Sequence, residues 1–307
     1  MNKIYGLSYQ GSKSKIAKEI INVLPANDYL VDLFAGGCAI THCGMLSKKW
    51  KCFIANDITC SAKAFEAVIN HTTNIDFENP QLITREKFKE IAGDTDNVDN
   101  FLLSIIWSFG NNRRTYIYGE DIEKIKTYSF LMLSGKDFNV RLKNYKLFMS
   151  ELMKTKIDRH TNEFQHLENI HRLQSLENFR RMESLERIRI IQNFDKFCSN
   201  ITTTQNDYRN ITIPANSTIY CDIPYQNTGG YTNVEFNHNE FYDWCLQQKQ
   251  PVFISEYSMP DDFVEIYSIN HKSTFSATNN NKLTIEKIFV QKKFADKIKI
   301  NKQTQLF

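Results

Sequence analysis

Residues 29–37 read YLVDLFAGG, and this stretch constrains the fold more than any other part of the chain. An apolar, β-favouring run ends in an acidic residue and a glycine turn, and the CAITHCGMLSK that follows has helical character. The pattern returns at 52–58, where CFIANDI ends in Asn56 and Asp57 before Ile58 and is followed by the helix-like SAKAFEAVINH. Two consecutive β-α units predict a mostly parallel sheet with crossover helices.

The same grammar reappears far along the chain. STIYCDIPY at 217–225 and QPVFISEY at 250–257 are β-rich runs with polar ends, EFYDWCLQQ between them has helical character, and LTIEKIFVQKK at 283–293 reads as a closing strand. From about 85 to 205 such strands are few and charged, glutamine- and asparagine-containing segments dominate. The expectation is a discontinuous α/β body, 1–84 and 206–307, interrupted by a mainly helical insert at 85–205. A length of 307 residues accommodates this, and 41% hydrophobic with 24% charged residues is ordinary globular composition.

The insert carries an internal repeat. Every third residue is apolar through Phe164, Leu167, Ile170, Leu173, Leu176, Phe179, Met182, Leu185, Ile188, Ile191, Phe194 and Phe197, and LEN, LEN and LER recur nine residues apart. A three-residue step drifts by about 60° per step around an α-helix, so one plain surface helix does not bury the whole stripe. Broken helices, 3₁₀ segments and a short solenoid all remain open, and slippage in the repeat would change the reach of the insert. Residues 136–200 hold 13 Lys/Arg against 9 Asp/Glu, a surplus of four that exceeds the +3 of the whole chain. An anionic partner for the insert is the expectation.

The seven cysteines (38, 43, 52, 60, 198, 221 and 245) include no CxxC pair and lie beside no zinc-type histidine spacing, so reduced thiols and no metal are expected. No apolar h-region opens the chain and no stretch of about 18 uncharged apolar residues occurs later, which predicts a soluble cytoplasmic protein without membrane contact.

Three stretches carry chemistry. At Asp32, Leu33, Phe34, Ala35, Gly36 and Gly37 a strand end feeds a turn of small residues at a helix N-terminus, where a ligand can approach the backbone, although the full GxGxxG is absent. Asp57, one strand later, sits where nucleotide-binding α/β proteins place a carboxylate for ribose hydroxyls. Asp222-Ile223-Pro224-Tyr225 puts a carboxylate and an aromatic ring on one proline-stiffened strand end. An aryl amine is a poor nucleophile because its lone pair is delocalised, and hydrogen-bond acceptors at Asp222 and a neighbouring carbonyl would localise that pair toward a methyl donor. A plain strand end at Asp222–Tyr225 and an N-capping aspartate at Asp57 are the structural alternatives at these places, as a solvated basic loop is at Lys13 and Lys15 and at Asn111–Arg114.

In this order the motifs resemble those of the D12 (Dam-like) class of DNA adenine-N6 methyltransferases, over nearly the whole chain. The family's aromatic residue and glycine-lysine loop are matched by Tyr9-Gln10-Gly11-Ser12-Lys13-Ser14-Lys15, followed by VDLFAGG, ANDI, an insert and the catalytic tetrapeptide. The resemblance implies a Rossmann-like S-adenosylmethionine-dependent methyltransferase sheet with an inserted target-recognition domain. It further implies cofactor contacts at Tyr9, Lys13, Asp32, Phe34, Ala35, Gly36, Gly37, Asp57, Asp207 and Asp222, and catalysis by Asp222, Pro224 and Tyr225. SIIWSFGNNRRTYIYG at 104–119 resembles the stretch leading into target recognition, with Asn111, Asn112, Arg113 and Arg114 suited to phosphates and base edges. Ser255-Glu256-Tyr257 resembles the motif beside the flipped-base pocket, and Ile223 departs from the commoner first proline of the tetrapeptide.

The implied reaction is methyl transfer from S-adenosylmethionine to N6 of a flipped adenine in duplex DNA, without metal, by a monomer or weak dimer of bacterial or phage origin. Restriction-modification, phage genome protection and orphan regulation predict the same residues. Cytosine N4 or RNA as acceptor, and a silent DNA-binding module that kept the fold, are the competing readings.

Overall fold

The computed structural model describes residues 4–77, 81–154, 183–192, 200–225, 236–272, 283–296 and 298. Its chain divides into two compact units. One comprises residues 1–7, 11–66 and 195–307, and the other residues 8–10 and 67–194.

The first unit is built on a seven-stranded sheet: β1 (Tyr29–Asp32), β2 (Cys52–Asp57), β3 (Ile201–Gln205), β4 (Ser217–Asp222), β5 (Val252–Glu256), β6 (Phe263–Lys272) and β7 (Leu283–Gln291). The order is β3-β2-β1-β4-β5-β7-β6. The first five strands in that order pair in parallel, and β7 runs antiparallel to both β5 and β6. This is the Rossmann-like sheet expected of a methyltransferase.

Central strands are apolar without alternation because both faces are covered. Val31, Ile219, Cys221 and Ile254 lie in one core cluster with Phe241, Tyr242 and Cys245, which belong to the helix His238–Gln247. On the neighbouring residues of the opposite face, Leu30 and Phe53 lie so close to Gly44 of the helix Ala39–Ser47 that an added Cβ there would meet Leu30 Cδ2 at 2.7 Å. His42 of the same helix is buried, its pKa lowered by burial to about 4, and its neutral ring accepts the Gly6 N–H at 3.0 Å.

Two strands escaped the sequence reading. β3 lies inside the stretch assigned to the insert and β6 was not recognised, because ITTTQ and FVEIYSINHK lack continuous apolar runs. Both stand at the ends of the sheet among the described strands, where half-exposed polar residues are tolerated. The sheet therefore resumes before residue 205, and the compact first unit resumes at Asp195.

The second unit is helical: Arg85–Ile91, Val98–Ile106, Glu123–Ser134, Phe138–Lys154 and Glu183–Gln192 are its helices among the described residues. Phe101, Leu102, Ile105 and Ile106 bury one side of Val98–Ile106, while Ile125, Phe148 and Leu152 join the helices Glu123–Ser134 and Phe138–Lys154. Of the three-residue stripe, Leu185, Ile188 and Ile191 are buried on Glu183–Gln192, where a short helix keeps successive i+3 positions on one face. The stripe's positions from Phe164 to Met182, with Phe194 and Phe197, lie outside the described residues. No described helix is long and apolar enough to cross a membrane.

Candidate active site at the carboxyl edge of the sheet

In a parallel sheet every strand presents its last residue at the same edge, and a ligand crevice opens where the strand order reverses. Here that reversal lies between β1 and β4, which end in Asp32 and Asp222. Asp57 ends β2 beside β1, Glu256 ends β5 beside β4, and Asp207 follows two residues after β3.

The turn after β1 is held from three sides. Gly36 has φ +49° and donates its N–H to Asp57 Oδ2 at 2.9 Å, Ala35 N–H donates to Asn56 O at 2.8 Å, and Leu7 N–H donates to Gly37 O at 2.7 Å. Gly6, at φ +68°, makes this last approach possible, since a Cβ would stand 2.4 Å from Gly37 O. Phe34 packs its ring against Tyr208, Phe236 and Phe241 rather than standing alone in the turn.

Asp32 is buried and its Oδ2 accepts the Thr41 hydroxyl at 2.8 Å. Burial lifts its carboxyl to about 7, against the pull of that hydrogen bond and with the help of neighbouring Asp222 and Asp57. Asp57 Oδ1 accepts both the N–H and the hydroxyl of Thr59, at 2.9 and 2.8 Å. A carboxylate offers about four lone-pair sites, so the three bonds drawn by Gly36 and Thr59 fix Asp57 and leave acceptor capacity for a hydroxyl. Asp207 caps the short turn Tyr208–Asn210 and is gripped by Arg209, which holds its carboxyl below the usual range.

At β4 the structure brings Lys13, Asp222 and Tyr225 together. The Lys13 ammonium lies 2.9 Å from Asp222 Oδ1 and 4.6 Å from the centroid of the Tyr225 ring. Burial raises Asp222 to about 6, Lys13 opposes that rise, and Glu286 adds to it. Burial alone would lower Lys13, but the two carboxylates more than offset it and its pKa is raised. Pro224's carbonyl lies 2.8 Å from His238 Nε2, and the Tyr225 ring meets Tyr257 edge-on at 4.7 Å. Ile223 is buried in the core cluster, so its side chain anchors the turn by packing where a proline would have stiffened it covalently.

Tyr9 is half-buried in the 8–10 stretch, which groups with the second unit. Asn111, Asn112, Arg113 and Arg114 also belong to that unit, on a loop closed by a bridge between Ser108 and Tyr116. Arg113 turns inward: its Nε donates to Ser104 Oγ at 2.8 Å, its Nη2 donates to Asp94 O, and its guanidinium lies 3.8 Å over the Phe101 ring. Asn112 Oδ1 accepts from Arg114 and Thr115 N–H, both at 2.9 Å, and so shapes the turn. Arg114 is exposed, and Phe109 at the same loop is 67% exposed.

Sequence reasoning missed Glu286, a buried acid on β7 whose Oε1 accepts the Tyr225 hydroxyl. Its signal was an acid inside the apolar run LTIEKIF. It also missed Phe109, whose exposure only the loop's geometry reveals. Among the described residues no three His, Cys, Asp or Glu side chains gather as they would around a metal ion.

The sequence model of the family described as D12 class N6 adenine-specific DNA methyltransferase matches residues 9–279 of the chain. No curated protein matches it.

Proposed function

Because the chain belongs to the D12 class N6 adenine-specific DNA methyltransferases, a family of enzymes, we propose that it moves a methyl group from S-adenosylmethionine to adenine N6 after turning the base out of duplex DNA. The observation that carries this reading is the union, at the reversal point of the sheet, of an acceptor carboxylate and an aromatic face in Asp222 and Tyr225.

The residues present fit the cofactor. Gly36 and Gly37 leave the backbone bare at the turn, Asp57 keeps acceptor capacity for a ribose diol, and Asp32 and Asp222 supply negative potential for a cationic sulfonium. Phe34 and Asp207 stand at the β1 and β3 ends where the adenine moiety would be received, Lys13 lies beside Asp222, and Tyr9 is assigned to the cofactor on its motif alone. When bound, S-adenosylmethionine supplies the electrophilic methyl group.

Asp222, ionised above about pH 6, accepts a hydrogen bond from the exocyclic amine and returns electron density to N6. Tyr225 offers its ring as a stacking surface, which offsets part of the few kcal/mol needed to unstack a base. Pro224, held through its carbonyl at His238, keeps that ring and the Asp222 carboxylate on one rigid edge. Asp222 is a carboxylate able to take up the proton that N6 loses after transfer.

The second unit is the target-recognition part. Arg114 faces solvent and suits a phosphate or base edge, and Asn111 and Asn112 shape the loop that presents it. The exposed Phe109 has the character of an apolar wedge that fills the gap left by a flipped base. Arg113 serves by holding the loop in place.

The test is nucleoside mass spectrometry after incubation of the protein with unmethylated duplex DNA and S-adenosylmethionine, beside Asp222→Ala. N6-methyladenine from the wild type alone is expected. N4-methylcytosine would reassign the acceptor, and DNA binding without any methylated nucleoside would favour a silent binding module.

A further inference from the structure

β7 brings a carboxylate to the site that no strand-end motif announces. The Glu286 side chain is 3% exposed, its Oε1 accepts the Tyr225 hydroxyl, and the Lys13 ammonium lies 3.5 Å from that same oxygen and 2.9 Å from Asp222 Oδ1. The ammonium also covers a face of the Tyr225 ring. In this state Lys13 does what a bound aryl amine would have to do: it donates to the Asp222 carboxylate and lies against the tyrosine. An incoming amine and Lys13 therefore compete for Asp222 Oδ1.

We propose that Glu286 is a positioning residue that acts through Lys13, receiving its ammonium when the target amine takes Asp222, so that substrate binding exchanges one ion pair for another. This inference rests on the reading of Asp222 as the amine acceptor. A lysine stem is flexible at its end, and a rotation of the ammonium between two carboxylates that it already contacts is a short movement. Without Glu286 the same movement would leave a poorly hydrated ammonium with no carboxylate, which is strongly unfavourable. Two carboxylates around one ammonium also leave a net negative charge beside the reacting centre, complementary to the positive charge that develops on N6.

The groups facing this exchange are Lys13 on the 3₁₀ turn Lys13–Lys15, Tyr220 and Asp222 on β4, Tyr225 beyond it, Asp32 on β1 and Glu286 on β7. Burial lifts Asp222, and Glu286 lifts it further. Replacing Glu286 by Gln removes one influence that raises Asp222 and leaves Lys13 to Asp222 alone, and both changes lower the Asp222 pKa. The acid limb of the rate should therefore move to lower pH while the plateau falls. A loss of packing alone would lower the plateau without moving the limb.

The experiment is single-turnover methyl transfer to duplex DNA as a function of pH for wild type, Glu286→Gln, Lys13→Met and the double variant, with S-adenosylmethionine affinity and thermal stability measured for each. The expected result is a plateau lowered about tenfold or more in Glu286→Gln, an acid limb displaced downward, and a double variant no slower than Lys13→Met alone. Losses that multiply in the double variant, or an unmoved acid limb, would overturn the proposal. Should Glu286→Gln not fold, Glu286→Asp keeps the charge, and a limb near that of the wild type with rescue of most of the plateau is expected; a plateau as low as that of Lys13→Met refutes it. An Asp222→Ala variant run alongside separates the two readings. If it retains transfer, the role of Asp222 fails; if it abolishes transfer while the cycle is additive, only the role of Glu286 fails.

Discussion

Asp32→Asn should make the protein more stable in alkaline than in acidic solution relative to the wild type. Asp32 is 1% exposed, ends β1 next to Asp57 and Asp222, and accepts hydrogen bonds from the hydroxyl and the backbone N–H of Thr41. Burial lifts its carboxyl from 3.8 to about 7. That displacement sets a ceiling of about 4 kcal/mol on the cost of ionising it in the folded protein. Because the folded pKa lies above the unfolded one, the stability is fully present below about pH 3.8, declines as the pH rises, and is lost once the pH passes about 7. Asparagine cannot ionise and still offers Thr41 an acceptor. The variant's advantage should grow from near zero at about pH 4 to roughly 2–4 kcal/mol at about pH 8, read from urea unfolding midpoints at the two pH values. A gap that does not change with pH, or a variant weaker than the wild type at the alkaline end, would refute the buried-carboxylate argument. If the Asp32 charge serves a cationic cofactor as proposed, the stabilised variant should also bind S-adenosylmethionine more weakly.

Two further outcomes are expected. Arg113→Ala should destabilise the protein by about 2–3 kcal/mol in chemical denaturation, since it removes a stacked guanidinium and two hydrogen bonds, whereas Arg114→Ala should leave stability unchanged and reduce the salt dependence of DNA affinity by about one phosphate contact. The reverse pattern would exchange their roles. Gly6→Ala should lower the melting temperature and S-adenosylmethionine affinity together, by about 2 kcal/mol or more in stability, because its Cβ would press on Gly37 O at 2.4 Å in a left-handed conformation. Calorimetry showing unchanged affinity would mean that the amino-terminal segment does not shape the turn.

The sheet's centre was legible because strands covered on both faces are written as unbroken apolar runs, and because a parallel sheet gathers strand ends at one edge wherever those ends fall in the chain. Asp32, Asp57 and Asp222 are therefore readable from the sequence as strand-end acids, and the order of motifs points to the family. β3 and β6 were not legible, since an edge strand needs no continuous apolar pattern. Arg113 reads as a DNA contact in sequence, and folding turns it inward onto Phe101, because a guanidinium satisfies an aromatic face and a carbonyl as well as it does a phosphate.

What the sequence determined by itself was local: which segments extend, which coil, and which carry an acid where a strand stops. What only the tertiary structure decided was which charges meet. Lys13 and Glu286 stand 273 positions apart in the chain, and their closeness to Asp222 and Tyr225 follows from β7 running antiparallel beside β5 while the amino-terminal segment returns to the carboxyl edge of β1. Coulomb forces depend on distance in space and on burial, and neither is written in any window of the chain.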